Sequence, residues 1–310
     1  MRRRALLGFA VGAGMSGVLG SYGCAARGTA AAQQPVDGFS QFGLQLSTIT
    51  PLMREDFEGA LALAAEVGYR QVEFSAQGFL GRSAHEVRGL LDKYNLSAPV
   101  GRISPKLPPH IARMSPAEAR QMFIALSHRD RLLETAKYSL DDALTLEQKY
   151  LNLPALMPNF FASLDEVQRS IEVINQVGEL CAQQGVLFGY HNHDWELRPV
   201  EGQVPLQMML QATAQDRVAF QLDTYWVVKG GGNLHEYLDT YPGRFVSCHL
   251  KDIDEFGVFA DVGYGEINFP KFITHALQTG TRYFFVERDN PPQPESAIRR
   301  SYGYLEGLVA

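Results

Sequence analysis

The chain has 310 residues, 45% of them hydrophobic, enough for one large core, and its formal net charge is −6. Lys and Arg form no dense patch beyond the N-terminus, and an acidic balance without a basic stripe argues against binding driven by a nucleic-acid backbone. The three cysteines, Cys24, Cys181 and Cys248, show no CxxC spacing, which argues against a disulfide framework or a cysteine-based zinc site. Cys181 and Cys248 sit in apolar runs and read as buried, inert thiols.

Residues 1–35 read as an export signal and linker. Arg2, Arg3 and Arg4 form a basic n-region, and a Gly- and Ala-rich apolar stretch and small residues follow. The arginines before "ALLG" suggest the twin-arginine route, which exports folded proteins; an ordinary Sec signal is the alternative. The run is short and weakly apolar for a transmembrane span. "GSYGC" loosely resembles a lipoprotein cleavage site for a lipid anchor at Cys24, with Tyr22 fitting poorly. The expected location is the periplasm.

From Phe39 onward, short β-branched or aromatic runs alternate with amphipathic stretches. "FGLQL" (42–46) reads as a strand. "MREDFEGALALAAEVGY" reads as one helix with a Gly68 stop. "RQVEF" (70–74) is the second strand, and a helix-like "SAHEVRGLLDKYNL" follows. "SAPVGRI" (97–103) is the third, followed by a proline-bearing loop and a long helical region from Ser115 to about Leu146. "KYLNLPAL" (149–156) is the fourth strand. Ser163 and Glu166 then make a capping box before a strong helix. "VLFGYH", "VAFQLD", "RFVSCHLKD" and "RYFFVERD" are strands five to eight. The helical stretches "VPLQMMLQATA", "GNLHEYLDTYPG" and "FPKFITHALQTG" separate them, and "PESAIRRSYGYLEGLV" closes the chain. Eight strand–helix units in about 270 residues point to a (β/α)8 TIM barrel. The alternative, an open doubly wound sheet, calls for a Gly-rich phosphate loop after the first strand, and "LSTITPLM" is not one.

Barrel active sites lie at the C-terminal ends of strands. Strand five ends in His191-Asn192-His193, strand six in Asp223, strand seven in His249-Leu250-Lys251-Asp252, and strand eight in Glu287-Arg288-Asp289. Strand two ends near Glu73. Alone, a strand-end His or Asp is commonly a hydrogen-bonded cap. Four consecutive strands ending in imidazole or carboxylate instead fit a divalent cation, which takes one ligand from each. Alternation puts His191 with His193 and His249 with Lys251, while Tyr190 and Asn192 point the other way.

The motifs "FGYHNHDWEL", "LDTYWV", "CHLKD", "VGYGEINF" and "FFVERD", in this order, resemble the sugar phosphate isomerase/epimerase superfamily with the xylose isomerase-like barrel. The resemblance covers essentially residues 36–310 as one domain. That superfamily includes ketose epimerases, hydroxypyruvate and xylose isomerases, inosose and dehydroshikimate dehydratases, and an endonuclease branch. It implies a divalent metal held by Glu, Asp, His and Glu from strands five to eight. By motif, Asp223, His249 and Glu287 match. The first Glu does not: His191 stands there, so either His191 replaces it or the metal shifts toward His193. Trp226 also stands where the family usually has a histidine three residues after the Asp. Two carboxylates and two neutral imidazoles leave a divalent ion less neutralised than three carboxylates do. Such a set favours Mn, Zn or Fe over Mg.

The resemblance implies removal of a proton next to a sugar carbonyl, giving isomerisation or epimerisation. Loss of a leaving group from the β carbon instead makes a lyase or dehydratase. His193, Glu196 and Lys251 are the catalytic candidates, with His193 titrating near neutrality. Glu287 can double as ligand and base. Trp195, Trp226 and Tyr225 are candidates for an apolar wall under a sugar face, with barrel packing as the other reading. Arg288 is a candidate for substrate binding. Export favours a free sugar or keto-sugar as substrate over a sugar phosphate. A 3-keto-glycoside fits, because its ketone acidifies the C2 hydrogen and elimination then expels the C1 substituent. A non-catalytic sugar-binding barrel is the reading from another class. The endonuclease branch calls for more metal ligands and a basic face. A homo-oligomer is compatible with the sequence.

Overall fold

The structure is a computed structural model and describes residues 41–309 apart from 76, 106–109, 111–112, 116, 119–120 and 123–127. The stretch expected to be an export signal, Cys24 and part of the helical region expected from Ser115 lie outside the described residues. Eight parallel strands form the sheet: β1 (Gly43–Gln45), β2 (Gln71–Glu73), β3 (Val100–Arg102), β4 (Tyr150–Leu153), β5 (Leu187–His191), β6 (Val218–Asp223), β7 (Phe245–Leu250) and β10 (Tyr283–Val286). Their order is β2-β1-β10-β7-β6-β5-β4-β3. A parallel bridge between Gln71 and Ser97 brings the two ends together. The (β/α)8 expectation is met. Among the described residues, no helix is long and apolar enough to cross a membrane.

Local sequence explains most boundaries. The helix Leu164–Ala182 buries Val167, Ile171, Ile174 and Val177, spaced three or four apart on one face. Burying each such side chain contributes about 1.5–3 kcal/mol. Two expectations need correction. The single helix from Met53 is broken into Thr50–Glu55 and Phe57–Val67. Asp56 is extended between them because its side chain caps the second helix at the Gly59 N–H. At Ser163 only half of the capping box forms. Glu166 does not reach back, because Arg129 and Arg169 take its carboxylate.

The barrel interior has a dry floor and a polar upper half. Val100, Tyr150, Ala219 and Phe285 pack together at the bottom. Strand alternation puts Arg102, Asn152, Gln221 and Glu287 two residues further along on the same face; the last three are buried, and the Arg102 side chain is nearly so. Gly189 makes room for this layer, since a Cβ there would meet Asn152 Oδ1 at 1.8 Å. Cys181 and Cys248 are free and buried, as expected. Burial pushes the Cys181 thiol up to about 12.

Two short antiparallel strands, β8 (Asp252–Ile253) and β9 (Phe259–Ala260), follow β7. The Asp252 carboxylate accepts backbone N–H bonds from Ile253, Gly263, Gly265 and Ile267. It therefore folds the "DVGYGEINF" segment back onto the end of β7. A Cβ on Gly265 would lie 2.3 Å from the Ile253 carbonyl oxygen. Asp252 and Lys251 consequently diverge, and no ion pair forms between them.

Candidate metal centre

β5, β6, β7 and β10 deliver His191, Asp223, His249 and Glu287 to one point at the C-terminal mouth. Ligand atoms of His191, Asp223 and His249 all lie within 4.8 Å of one another, and the three residues are buried. Asp223 Oδ2 stands 3.7 Å from His191 Nε2 and 3.8 Å from His249 Nδ1. Glu287 Oε2 is 2.7 Å from His249 Nδ1. Two ligands about 2.1 Å from a tetrahedral ion stand about 3.4 Å apart, so these separations suit a cation with little adjustment. Asp223 Oδ2 is buried and accepts no hydrogen bond, a costly state for a carboxylate oxygen unless a cation faces it. The other oxygen, Oδ1, caps the helix Thr224–Lys229 at the Trp226 N–H. These residues fit a divalent metal. Histidine at position 191, rather than 193, carries the nitrogen that faces Asp223.

Lys251 enters the same space. Its ammonium is 2.7 Å from Asp289, 3.2 Å from Glu287 and 3.7 Å from Asp223 Oδ2, beneath the rings of Trp226 and Phe259. Burial would lower its pKa, but the three carboxylates overcome that and raise it. Burial likewise works against ionised Glu287, and Lys251 and His249 reverse the effect, holding it well below the usual carboxylate range. Ser47 Oγ donates to its second oxygen at 2.8 Å. At Asp223 burial wins and pushes the carboxyl up to about 7. Without a metal, His249 is pushed up to about 9 as Glu287 and Glu73 outweigh burial. A cation bound there would take the place of the proton on His249 Nδ1.

The remaining candidates separate. His193 stacks on Trp195 with ring centroids 4.2 Å apart, and its edge meets His191. Its Nδ1 is buried without a hydrogen-bond partner. It does not titrate near neutrality: burial first, then Lys251, hold the imidazole well below its ordinary value, so it is a neutral acceptor at pH 7. Trp226 closes the same corner, 5.3 Å from His193. Trp195 Nε1 donates to the Leu156 carbonyl. Arg288 is not brought into the site. Its guanidinium pairs with Asp261, which Arg300 also contacts, so it fastens the "DVGYGEINF" segment.

Glu196 is also committed elsewhere. Tyr190 OH donates to one oxygen at 2.6 Å and the His193 N–H to the other at 2.9 Å. It braces the loop that holds His193. Burial pushes its carboxyl up from 4.5 to about 7. The folded state then holds this proton more tightly than the unfolded chain. Its contribution is complete below pH 4.5 and is lost as pH rises to 7. Glu196→Gln removes that loss, which amounts to at most about 3 kcal/mol. Urea titrations at pH 5 and 7.5 should show a smaller fall in midpoint for the variant than for the wild type.

Below the four candidate ligands lies a further polar layer: Gln45, Glu73, Arg102 and Gln221. Glu73 ends a strand like the others and was visible as such. Arg102 and Gln221 carry a weaker signal, a polar side chain at an inward position of an apolar strand.

The xylose isomerase-like TIM barrel family model matches residues 61–308. No curated protein matches the chain. Among solved structures, a sugar phosphate isomerase/epimerase from Parabacteroides distasonis is 23% identical with a TM-score of 0.70, over 91% of this chain and all of that one. The 3-keto-D-glucoside 4-epimerase YcjR from E. coli is 16% identical with a TM-score of 0.63, over 86% of this chain and 99% of that one. The zinc-containing IolI protein is 13% identical with a TM-score of 0.63, over 87% of this chain and 98% of that one. At these identities the likeness in structure shows the fold, while the family match spans most of the barrel. The chain therefore belongs to the xylose isomerase-like TIM barrel family.

Proposed function

We propose that this chain is an exported, metal-dependent enzyme of isomerase or epimerase type that removes a proton next to the carbonyl of a sugar or keto-sugar. The observation that carries the reading is the buried, unpartnered Asp223 Oδ2, set between His191, His249 and Lys251. His191, Asp223, His249 and Glu287 would hold the ion, and two imidazoles among four donors favour Zn, Mn or Fe over Mg. The IolI structure, which contains zinc, supports that preference. A divalent ion held there would supply Lewis acidity to the carbonyl of the substrate.

The chain's own residues supply the rest. Neutral His193 accepts the C–H proton at its ring nitrogen, and Trp195 holds the ring plane in place. The Lys251 ammonium offsets negative charge that develops on substrate oxygen, and Asp289 and Glu287 fix its position. Trp226 and Phe259 keep water from the ammonium and offer an apolar face to a sugar ring. Return of the proton to the other face of the same carbon completes an epimerisation.

The lyase reading rests on the same first step. A ketone at C3 acidifies the hydrogens at both C2 and C4, and YcjR is named for acting on a 3-keto-D-glucoside. If the C2 proton leaves, its electron pair forms the C1–C2 double bond, the C1–O bond breaks, and the aglycone departs with a proton as an alcohol. Purified, metal-loaded protein incubated with a 3-keto-glucoside in D2O tests both readings. Deuterium in recovered keto-sugar is the expected result for an epimerase, and released aglycone for a lyase. Loaded protein that does neither with any keto-sugar overturns the proposal in favour of a sugar-binding barrel.

A further inference from the structure

Glu73 sits at the centre of the buried layer beneath the candidate metal centre, paired with Arg102 and in hydrogen-bond contact with Gln45, Gln221 and His249. Arg102 Nε lies 2.7 Å from Oε1, and Gln45 Nε2 donates to the same oxygen at 3.3 Å. Gln221 Nε2 donates to Oε2 at 2.8 Å, and His249 Nε2 stands 3.1 Å from Oε2. A carboxylate only accepts, which fixes what faces it. His249 must carry hydrogen on Nε2; the Arg102 NH2 contact to that nitrogen is longer, at 3.4 Å, and does not compete. Gln221 must turn its NH2 group to Glu73. Its carbonyl oxygen then faces His191 Nδ1 at 3.1 Å, so His191 carries hydrogen on Nδ1 and leaves Nε2 bare toward Asp223.

We propose that Glu73 is the positioning residue that sets the tautomers of both histidines at the centre, directly at His249 and through the Gln221 amide at His191. The proposal rests on the metal-centre reading above. It makes strand two, which supplies no ligand, a determinant of metal affinity. Outer partners of metal-bound histidine act in this way, by fixing the ring and directing the lone pair.

The isosteric Glu73→Gln variant inverts the relay. Arg102 keeps the new amide oxygen on its own side, so the NH2 group faces His249 and Gln221. Gln221 then turns its oxygen to position 73 and its NH2 to His191. Both histidines now present an N–H where the metal needs a lone pair.

The test uses the full chain and zinc alone as the probe. Zinc affinity is measured in competition with a chromophoric chelator, and the imidazole 15N shifts of His191 are read in metal-free protein. Glu73→Gln is expected to bind zinc on the order of 10–100-fold more weakly and to move the His191 hydrogen from Nδ1 to Nε2. Wild-type affinity within twofold, with the wild-type tautomer, overturns the proposal. If Glu73→Gln does not fold, Gln221→Met decides. It cuts only the arm to His191 and is expected to weaken zinc about tenfold; unchanged affinity and an unchanged His191 tautomer overturn the relay. If wild type binds zinc no better than Asp223→Asn, the metal-centre reading fails, while the His191 tautomer still reports on Glu73.

Discussion

Asp223→Asn should abolish stoichiometric metal binding and lower turnover on the order of 10³-fold, yet leave the metal-free protein as stable as the wild type or more so. The two effects separate because the two carboxylate oxygens have different jobs. Oδ1 caps a helix at the Trp226 N–H, and Asn caps as well as Asp does. Oδ2 faces His191 and His249, and an amide NH2 there offers a hydrogen where a ligand lone pair is needed. Burial has already pushed this carboxyl up to about 7. In the metal-free wild type the ionised form therefore costs stability as pH rises from 3.8 to 7, and the variant escapes that cost. Metal reverses the order. At a hundredfold excess over Kd, bound ion stabilises the wild type by about 2.7 kcal/mol, roughly 5 °C in Tm for a chain of this size. Calorimetry with and without zinc at pH 7 checks both halves. A variant that melts well below metal-free wild type would make Asp223 a structural residue, and the metal reading would lose its main support.

The parts of this site that were legible in sequence are those a single strand determines. His191, Asp223, His249 and Glu287 each follow an apolar run, and the barrel rule alone brings such strand ends to one mouth. Alternation put Lys251 beside His249, and it enters the site. What happens beyond a strand end was not legible. Arg288 and Glu196 lie two and five residues past their strands, where the pleat no longer fixes direction. Asp261 and Tyr190 then decide where they go. Gln221 and Arg102 were missed for another reason. Their roles exist only across the barrel, where β2, β3 and β6 bring them to Glu73 from residues far apart in the chain. Composition and periodicity carry no record of that distance. Asp56 shows the same limit in miniature: a pattern of apolar residues continuous enough for one helix does not reveal that one carboxylate prefers to cap the next turn.

Lys251→Met should be the most destabilising single change at the mouth of the barrel in metal-free protein, by about 3–5 kcal/mol. Three carboxylates lie within 3.7 Å of the ammonium, and methionine fills the volume without the charge. Glu287 and Asp289 are then left beside Asp223 without the ammonium, and His249 still faces Glu287. Like charges in a buried site raise carboxyl pKa values. Groups with raised folded pKa values contribute stability at low pH that is lost as pH rises, so the deficit of the variant should grow between pH 5 and pH 8. Zinc should recover part of it, because a divalent ion ligated by Asp223 and Glu287 neutralises the same charge. Turnover should not recover with it: loss of the ammonium should cost 10²–10⁴-fold even in metal-saturated protein. Urea midpoints at pH 5 and 8, each with and without zinc, give the four numbers needed. A deficit that is independent of pH and insensitive to zinc would mean that Lys251 acts by packing under Trp226 and Phe259, and that its charge does not matter to the site.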